Sequence, residues 1–455
     1  MKKHISLVLM LCASFLTVGA QNKGGISSEM LSKYKQNYKN TAYDKAVSNA
    51  MGAASINKLA LNQENLRDMD TNFSIEVKSV GITNQQRSGR CWLFTGLNVL
   101  RNEMIRKYDL DSFEFSQVHL SFYDQLEKCN HFLQCVIDEA DKPIDDPRVV
   151  FLMKHALNDG GHFLGVADLV EKYGLVPSGV RPETYCSNHT SNISMLLGRK
   201  IKEFALELRK QAADGVKTKQ LVKNKEEMMA TVYKMLVLAF GEPVESFKWA
   251  LKDGEEKEYT PLSFYKEYLD KDMTNRYVMF MNDPTRPYYK LYDVDLYRHV
   301  YDGHDWIYIN LPNEDIKEMC IASLKDNTMM YISCDVNQFR NPDTGTLDLA
   351  NYDYESLLQT TFNMDKAQRI NTYDSGSAHA MTLNAVDIKD GKPVKWMVEN
   401  SWGATNGFKG HLIMTDEWFD EYMFRFVIDK KYIPAKIMKI LKQKPIVLPP
   451  WDPMF

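Results

Sequence analysis

The chain has little cysteine, with seven residues in 455, and it has no basic run, internal repeat or low-complexity tract. Sparse cysteine argues against a small disulfide-stapled fold, because a chain of this length can bury a large core without covalent bridges. Lysine plus arginine (56) nearly balance aspartate plus glutamate (60). We therefore expect a mildly acidic globular protein and no nucleic-acid partner.

Long apolar runs are also missing, apart from one at the N-terminus. There Lys2 and Lys3 precede an apolar run from Ile5 to Val18, which ends in small residues before Gln21. This pattern is typical of a signal peptide over residues 1–20, and the run is short for a membrane span. We expect an exported protein, periplasmic or secreted, without a membrane anchor after cleavage. An N-terminal core helix or anchor is the alternative.

Export would permit disulfides among the six cysteines that remain. We expect at most one or two bridges, and none at Cys91. Cys129, His131 and Cys135 lie close together, but they lack a second set of ligands and their segment is helical in pattern. No metal site is predicted there; a disulfide between the two cysteines and plain core packing stay open. The six cysteines are Cys91, Cys129, Cys135, Cys186, Cys320 and Cys334.

The chain changes character along its length. The spacing of four apolar residues predicts a long helix that starts at Cys91. These residues are Leu93, Leu97, Leu100 and Met104. Four short β-rich runs then occupy the last third of the chain, at 329–336, 380–388, 394–402 and 424–433. Helices first and strands later predict an α+β protein. The proline-rich tail, 444–455, is predicted to be extended and to be neither helix nor paired strand.

The segment "NQQRSGRCWLF", residues 84–94, places a cysteine where a reactive thiol would be expected. A helix N-terminus favours the thiolate of Cys91 through the helix dipole and free N–H groups. Gly89 allows close approach of the backbone to a substrate. The side-chain amide of Gln85 is placed to donate to an oxyanion beside Cys91. A buried structural cysteine with an incidental glutamine is the alternative reading of this segment alone.

A nucleophilic cysteine needs a base, and the base needs an orienting partner. His379 stands at the entrance of one β-rich run, and Asn400 stands at the end of the next, within "VENSWG". An amide oxygen can accept from the imidazole, and the indole of Trp402 can keep water away from that bond. A lone histidine is more often a core residue, but this combination favours a Cys–His–Asn site.

Gln85, Cys91-Trp92, His379 and Asn400-Ser401-Trp402-Gly403 resemble the motifs of papain-like cysteine peptidases. Simple enzymes of that fold place the histidine about 130–150 residues after the cysteine. Here the separation is roughly 290 residues. The resemblance therefore implies a large insertion within the fold.

The order of "SGRCWLF", "NDGG", "EKYGLVP", "NDP", "SCDVNQF", "HAMTL", "VENSWG" and "WDPM" along the chain is similar to the bleomycin hydrolase/aminopeptidase C family. The resemblance implies a papain-like fold with a helical half, a β-barrel half, a large helical insertion and a C-terminal arm in the active-site cleft. It also implies a homohexamer with inward-facing sites, peptide substrates and thiol aminopeptidase activity. No metal or organic cofactor is implied.

These expectations divide the chain into five parts after the signal peptide. The predicted parts are an N-terminal arm (21–75), a helical half with the cysteine (76–200), a helical insertion (201–325), a β-rich half with the histidine and asparagine (326–432) and a C-terminal arm (433–455).

The resemblance also implies roles for particular residues. Cys91 corresponds to the nucleophile, His379 to the general base and acid, Asn400 to its orienting partner and Gln85 to the oxyanion donor. Supporting roles fall to Trp92 and Trp402, and substrate-binding roles to Gly160, Gly161 and Phe455.

Three departures from the family pattern bear on function. An exported thiolate is prone to oxidation, so activity is expected to need a reductant. Ala378 precedes His379 where relatives commonly carry threonine. The chain stops at Phe455, a few residues earlier than relatives, and an open cleft would favour an exported endopeptidase as the alternative to an aminopeptidase. An inactive hexameric peptide-binding scaffold, and an amidase or acyltransferase with the same residues, are less favoured.

Overall fold

The structure is a computed structural model that describes residues 24–65, 70–252, 254–269 and 272–454. The predicted signal peptide (1–20) and Phe455 lie outside the described residues. The described helices are α1 (Ser28–Asn37), α2 (Ala42–Met51), α3 (Ile56–Ala60), α4 (Cys91–Tyr108), α5 (Gln117–Asp138), α6 (Pro147–Lys154), α7 (Phe163–Tyr173), α8 (Tyr185–Asn188), α9 (Ser191–Ala213), α10 (Thr218–Phe240), α11 (Pro261–Tyr268), α12 (Met273–Arg276), α13 (Asn313–Lys325), α14 (Tyr354–Leu358), α15 (Lys366–Asn371), α16 (Asp416–Tyr422) and α17 (Ala435–Met438).

Most described strands belong to one large mixed sheet. The strands are β1 (Ile75–Glu76), β2 (Phe247–Trp249), β3 (Lys257–Tyr259), β4 (Tyr277–Met281), β5 (Lys290–Val294), β6 (Trp306–Asn310), β7 (Met330–Cys334), β8 (Arg340–Asn341), β9 (Thr346–Leu347), β10 (His379–Lys389), β11 (Lys392–Glu399), β12 (His411–Thr415), β13 (Met423–Asp429) and β14 (Ile446–Leu448). The sheet order is β14-β5-β6-β4-β13-β7-β10-β11-β12-β9-β8, β1 adds to β10, and β2 and β3 form a separate hairpin.

Helix α4 begins at Cys91, which confirms the sequence prediction, and it lies between the two halves of the molecule. One side packs against α5 and α7, and the other packs against β10 and β7. Because both sides are covered, residues 92–101 are all buried, including Asn98 and Arg101. The first turn of α4 therefore stands at the junction between the helical half and the sheet.

The helices α5, α9 and α10 form a separate bundle on the helical side. On α9 the buried residues recur every three or four positions, as in Leu197, Ile201, Ala205 and Leu208. This spacing places one apolar stripe toward α5 and α10, while the opposite face carries the charges. Helix α5 connects this bundle to the rest of the helical half, because it also contacts α4 and α7.

Strand β10 is the central strand beside the helical half. It pairs antiparallel with β7 on one side and with β11 on the other. Residues 379–387 are all buried, because both faces of the strand are covered. The four β-rich runs predicted from the sequence contain β7, β10, β11 and β13, and these strands confirm the α+β class.

Two segments differ from their predicted structure. The expected helical insertion, 201–325, supplies helices but also β4, β5 and β6 of the large sheet. The C-terminal tail was predicted to hold no paired strand, and this was wrong, because β14 pairs in parallel with β5. Prolines at 445, 449 and 450 bracket β14, so a three-residue strand fits between residues that cannot donate to a ladder.

The N-terminal arm contacts the rest of the chain around α3, where Ala60 is buried and Leu61 forms a bridge with Tyr352, and at its end. No residue of α1 or α2 is buried, whereas β1 pairs with β10 through Ile75 and Glu76. Among the described residues, no helix has the length and apolar character needed to cross a membrane.

A buried ion pair joins the helical half to the sheet. Arg101 on α4 lies 2.5 Å from the carboxylate of Glu399 at the end of β11, and both side chains are at most 5% exposed. Ser79 donates a hydrogen bond to the other carboxylate oxygen. The pair fixes the middle of α4 against the strand that leads into Asn400, since removal of one partner would leave an uncompensated buried charge.

We predict that the protein loses stability in mild acid. Burial lowers the pKa of His119, His131 and His379 to about 4, from an ordinary value of 6.5. Between about pH 6.5 and 4 the unfolded chain therefore binds more protons than the folded chain. The free energy of unfolding should fall as the pH drops through this window, by on the order of 1 kcal/mol per histidine between pH 7 and 5.5.

Urea unfolding followed by fluorescence at several pH values between 7.5 and 5.5 measures this dependence. A His131→Phe variant removes one of the three groups, so its free energy of unfolding should fall less steeply over the same range. An unchanged slope in this variant would contradict the assignment.

Candidate active site

Cys91 follows a loop that is held from both sides. Arg90, which precedes the helix, is buried and makes two hydrogen bonds to the carboxylate of Glu183, at 3.2 and 2.9 Å. Its Nε also donates to the hydroxyl of Ser88 at 3.0 Å. In turn, the Ser88 hydroxyl donates to the backbone carbonyl of Gln85 at 2.6 Å. The turn "QQRSGR" thus reaches Cys91 with little conformational freedom.

Cys91 is partly exposed as a residue, and backbone N–H groups lie close to its sulfur. Burial raises the pKa of the thiol, while the N–H groups of Ala380, Trp92 and Cys91 itself act to lower it. The predicted stabilisation by the helix N-terminus is therefore present, but desolvation outweighs it, and the net pKa shift is upward.

His379 is the first residue of β10 and lies across the cleft from α4. Its Nε2 is 2.9 Å from Oδ1 of Asn400. Because the amide oxygen only accepts, the geometry assigns the proton to Nε2 and leaves Nδ1 as the basic nitrogen. The Trp402 ring lies 4.7 Å from the imidazole. Burial lowers the pKa of His379 to about 4, although the Asn400 hydrogen bond opposes this shift, so the ring is a neutral base at neutral pH.

Gln85 is oriented by a residue to which the sequence assigned no role. The Ser401 hydroxyl donates to Oε1 of Gln85 at 2.7 Å, and the backbone N–H of Gln85 donates to the Ser401 carbonyl at 2.8 Å. The Gln85 Nε2 donates to the carbonyl of Ser88 at 2.7 Å. One Nε2 hydrogen remains for the cleft. The sequence could have indicated this role of Ser401, because Ser401 lies within the Asn-Ser-Trp-Gly motif.

Gly160 and Gly161 form part of the cleft wall. A Cβ at Gly161 would lie 2.2 Å from Cε1 of His299 and 2.6 Å from the Trp92 ring, so a side chain there has no space. The Trp92 Nε1 donates to the carbonyl of Asp159 at 2.7 Å. Trp92 therefore supports the glycine pair rather than contacting the cleft.

The cleft has a volume of about 340 Å³. It brings together Gln85, Cys91, Gly160, Gly161 and His379, all of which were predicted from the sequence, whereas Asn400, Trp92 and Trp402 lie behind these residues. Gly89 and Ala378, which the sequence analysis also noted, line the cleft too. Further lining residues, which the sequence did not single out, are Tyr297, Ser333, Ser377, Ala380 and Arg425.

The C-terminal arm ends beside this cleft. Asp452 pairs with Arg286 at 3.0 Å, and Arg286 also pairs with the buried Asp283 at 2.6 Å. Two residues further on, Met454 is buried, and its carbonyl accepts a hydrogen bond from Arg425, a cleft residue. The role predicted for Phe455 falls on a residue outside the described part of the chain.

The remaining cysteines have surroundings different from that of Cys91. All six cysteines in the described residues are free thiols. Cys129 and Cys135 lie on α5 in the core of the bundle, and burial raises the pKa of Cys135 to about 12. The described residues contain no group of three or more histidine, cysteine or acidic side chains placed to hold a metal ion.

Together these groups provide a thiol, a neutral imidazole with a fixed tautomer, and amide donors beside the thiol. The set suits attack of sulfur on an acyl carbon, with the proton passed to imidazole and the oxyanion held by N–H groups. The three elements that supply the set are α4, the start of β10 and the turn after β11.

Comparisons with known proteins agree with this chemistry. Residues 25–455 match the model of the Peptidase C1-like family. Bleomycin hydrolase of Mus musculus is 37% identical over 452 residues, which is 95% of this chain and 99% of that protein. Aminopeptidase C of Lactobacillus delbrueckii subsp. lactis is 36% identical over 440 residues, or 94% and 98% of the two chains.

A solved structure is equally similar. PepW from Lactobacillus rhamnosis superposes with a TM-score of 0.90 at 36% identity, covering 95% of this chain and 99% of that one. The α+β architecture, the cleft residues and these relatives lead to one conclusion. The chain belongs to the Peptidase C1-like family, and within this papain-like group it belongs with the bleomycin hydrolases and aminopeptidases C.

Proposed function

We propose that this protein is a cysteine aminopeptidase that removes residues from peptides with a free N-terminus. The observation that carries the proposal is the geometry of the site: His379, held by Asn400 at 2.9 Å, opens with Cys91 onto one cleft. The names of the relatives, aminopeptidase C and bleomycin hydrolase, support the exopeptidase reading. They give no support to the endopeptidase alternative.

The geometry suggests the order of steps. As the Cys91 sulfur bonds to the scissile carbonyl carbon, its proton passes to Nδ1 of His379. The carbonyl electrons move to oxygen, where the Gln85 amide and the Cys91 N–H stabilise the negative charge. Collapse of this intermediate breaks the carbon–nitrogen bond, and His379 returns the proton to the leaving amine.

The thioester that remains is hydrolysed by the same groups. Water gives a proton to His379 as it attacks the thioester carbon, and the second tetrahedral intermediate expels the sulfur. The sulfur recovers its proton from His379, and the acid is released. Asn400 keeps Nδ1 directed at the cleft during both halves, since it holds Nε2 in its hydrogen bond.

The C-terminal arm supports the preference for a free N-terminus. The ion pair between Asp452 and Arg286 and the contact between Met454 and Arg425 hold the arm where it limits the cleft. A substrate with a longer or blocked N-terminus would have to displace it. The arm therefore provides a physical reason for removal of single N-terminal residues.

The first test compares fluorogenic peptides with free and acetylated N-termini, in the presence of a reductant. We expect turnover of free-amine substrates only, and its loss in Cys91→Ser by a factor of about 10³ or more. Equal cleavage of acetylated substrates would show an endopeptidase. Absence of turnover that depends on Cys91 would overturn the enzyme assignment.

Weakening the arm should relax this selectivity. In Asp452→Asn the charge that pairs with Arg286 is lost, so the ratio of kcat/KM for acetylated to free substrates should rise about tenfold or more. Asp315→Asn is the matched control, because Asp315 pairs with Lys436 on the same arm at 3.2 Å, away from the cleft residues. A ratio that stays at the wild-type value in Asp452→Asn would contradict this role of the arm.

We further propose that the protein assembles as a homohexamer through its N-terminal arm. The support is the exposed apolar surface around α1, where Ile26, Leu31, Tyr34 and Tyr38 are 49–68% exposed. A ten-residue helix without buried residues gains little stability alone, and contact with a second copy would cover this surface.

Light scattering after size exclusion measures the assembly. We expect about six times the monomer mass for the mature protein, and smaller species for Leu31→Ser combined with Tyr34→Ser. Leu206→Ser is the control, because Leu206 is 60% exposed on α9. A monomer at micromolar concentration, or equal dissociation of the control, would contradict assembly through the arm.

Export through cleavage after Ala20 is also proposed, on the basis of the sequence pattern at residues 1–20. Expression of the full chain in a Gram-negative host should give periplasmic protein whose mass corresponds to a start at Gln21. A charge in the apolar run, as in Leu9→Arg, should retain the uncleaved chain in the cytoplasm. Uncleaved wild-type protein in the cytoplasm would overturn the proposal.

A further inference from the structure

A buried trio behind the cleft wall has no role in the steps above. We propose that Lys128, with Asp124 and His299, forms a positioning unit that holds the segment 158–161 in the conformation that binds the substrate main chain. This inference rests on the proposed peptidase function. It concerns the binding of substrate, whereas the Cys91 and His379 chemistry is unaffected.

The carbonyl groups of three consecutive residues are each held by a side-chain donor from α4 or α5. The Asn158 carbonyl accepts from Gln125 and from Lys128, both at 3.2 Å. The Asp159 carbonyl accepts from the Trp92 indole at 2.7 Å. The Gly160 carbonyl accepts from Lys128 Nζ at 2.6 Å. Lys128 thus contacts both ends of this run.

Gly161, the next residue, has a backbone that is available to bind the substrate. Within the described part of the chain, the N–H and the carbonyl of Gly161 have no hydrogen-bond partner, and Gly161 lines the cleft. With the preceding carbonyls held, these two groups are the ones that can pair with an extended substrate. An unpaired donor and acceptor at a cleft wall suits a peptide main chain, which supplies both.

The charges behind the segment are balanced. Asp124 lies 2.9 Å from Lys128 Nζ and 2.6 Å from Nδ1 of His299, and the three side chains are at most 10% exposed. Burial would raise the pKa of Asp124, but Lys128 and His299 outweigh it and keep the pKa below its usual range. The carboxylate therefore holds Lys128 by charge and His299 by a hydrogen bond.

The His299 side chain limits how closely residues 158–161 can approach the core. Its ring lies 4.6 Å from the Trp92 ring and directly behind Gly161. A Cβ at Gly165 would also lie only 2.7 Å from the same ring. Since His299 is held by Asp124 and enclosed by these glycines, it fixes the depth of Gly161 in the cleft wall.

The segment is also tied to the loop before the nucleophile. The Asp159 carboxylate accepts from the backbone N–H of Gly89 at 3.1 Å and from the hydroxyl of Ser194 at 3.0 Å. The Cys91 loop also has anchors of its own at Arg90 and Ser401. We therefore expect a displaced Gly160 to change the placement of the substrate more than the position of Cys91.

The test measures kcat and KM for a free-amine fluorogenic peptide, with the alkylation rate of Cys91 by iodoacetamide as a readout of the thiol alone. In Lys128→Met we expect a rise in KM of about tenfold or more, a change in kcat below about threefold and an unchanged alkylation rate. Lys128→Arg keeps the charge and donors, so it should recover most of the affinity. Lys172→Met is the matched control, because Lys172 pairs with Glu127 of α5 at 2.8 Å without contacting 158–161.

Loss of Lys128 alone leaves the buried Asp124 without its cation, so the double variant Lys128→Met/Asp124→Asn provides a neutral version that should fold. The inference predicts raised KM in the double variant as well. Wild-type KM in either variant, or parallel falls in kcat and alkylation rate, would overturn the positioning role. Failure of the proposed function itself would be distinguishable, since wild-type protein would then lack turnover that depends on Cys91.

Discussion

The cleft depends on a constraint that the fold must satisfy: its reacting groups come from two halves that meet at a seam. Cys91 belongs to a helix, whereas His379 and Asn400 belong to the sheet. The Arg101–Glu399 ion pair and the Gln85–Ser401 hydrogen bonds cross this seam. Without such ties, a small shift between two rigid halves would change the distance from sulfur to imidazole.

Burial also shifts the pKa values of Cys91 and His379. It raises the pKa of Cys91 and lowers the pKa of His379, so desolvation opposes a separation of charge between sulfur and imidazole. The backbone N–H groups of Ala380, Trp92 and Cys91 act in the opposite direction, because they stabilise negative charge on the sulfur. The cleft therefore supplies fixed N–H donors at the atom that attacks the substrate.

The sequence was sufficient for the features that local patterns encode. Helical spacing located the start of α4, short β-rich runs located β7, β10, β11 and β13, and the motifs indicated Cys91, His379 and Asn400. Other features depend on distant partners. An acid and a lysine four residues apart on α5, such as Asp124 and Lys128, usually form an exposed pair, and their burial follows from the packing of α5 against the cleft wall.

The strands β4, β5 and β6 illustrate the same limit. They lie within a mostly helical stretch. β4 pairs with β13, which is more than a hundred residues away in sequence, and β6 and β5 join the sheet through β4. The pairing of β14 with β5 was missed for a related reason, because proline content argued against it locally. A strand of three residues can nevertheless form where a neighbouring strand offers unpaired backbone N–H and carbonyl groups at its edge.

That short strand has a consequence for the molecule in solution. Without β14, the edge of β5 would present a row of free N–H and carbonyl groups, a surface on which strands of other molecules add and aggregates grow. The chain covers this edge with its own tail, and the flanking prolines prevent β14 from extending the ladder further. The same arm that ends beside the cleft thus covers an edge of the sheet, and its release would leave the edge of β5 free to pair with strands of other molecules.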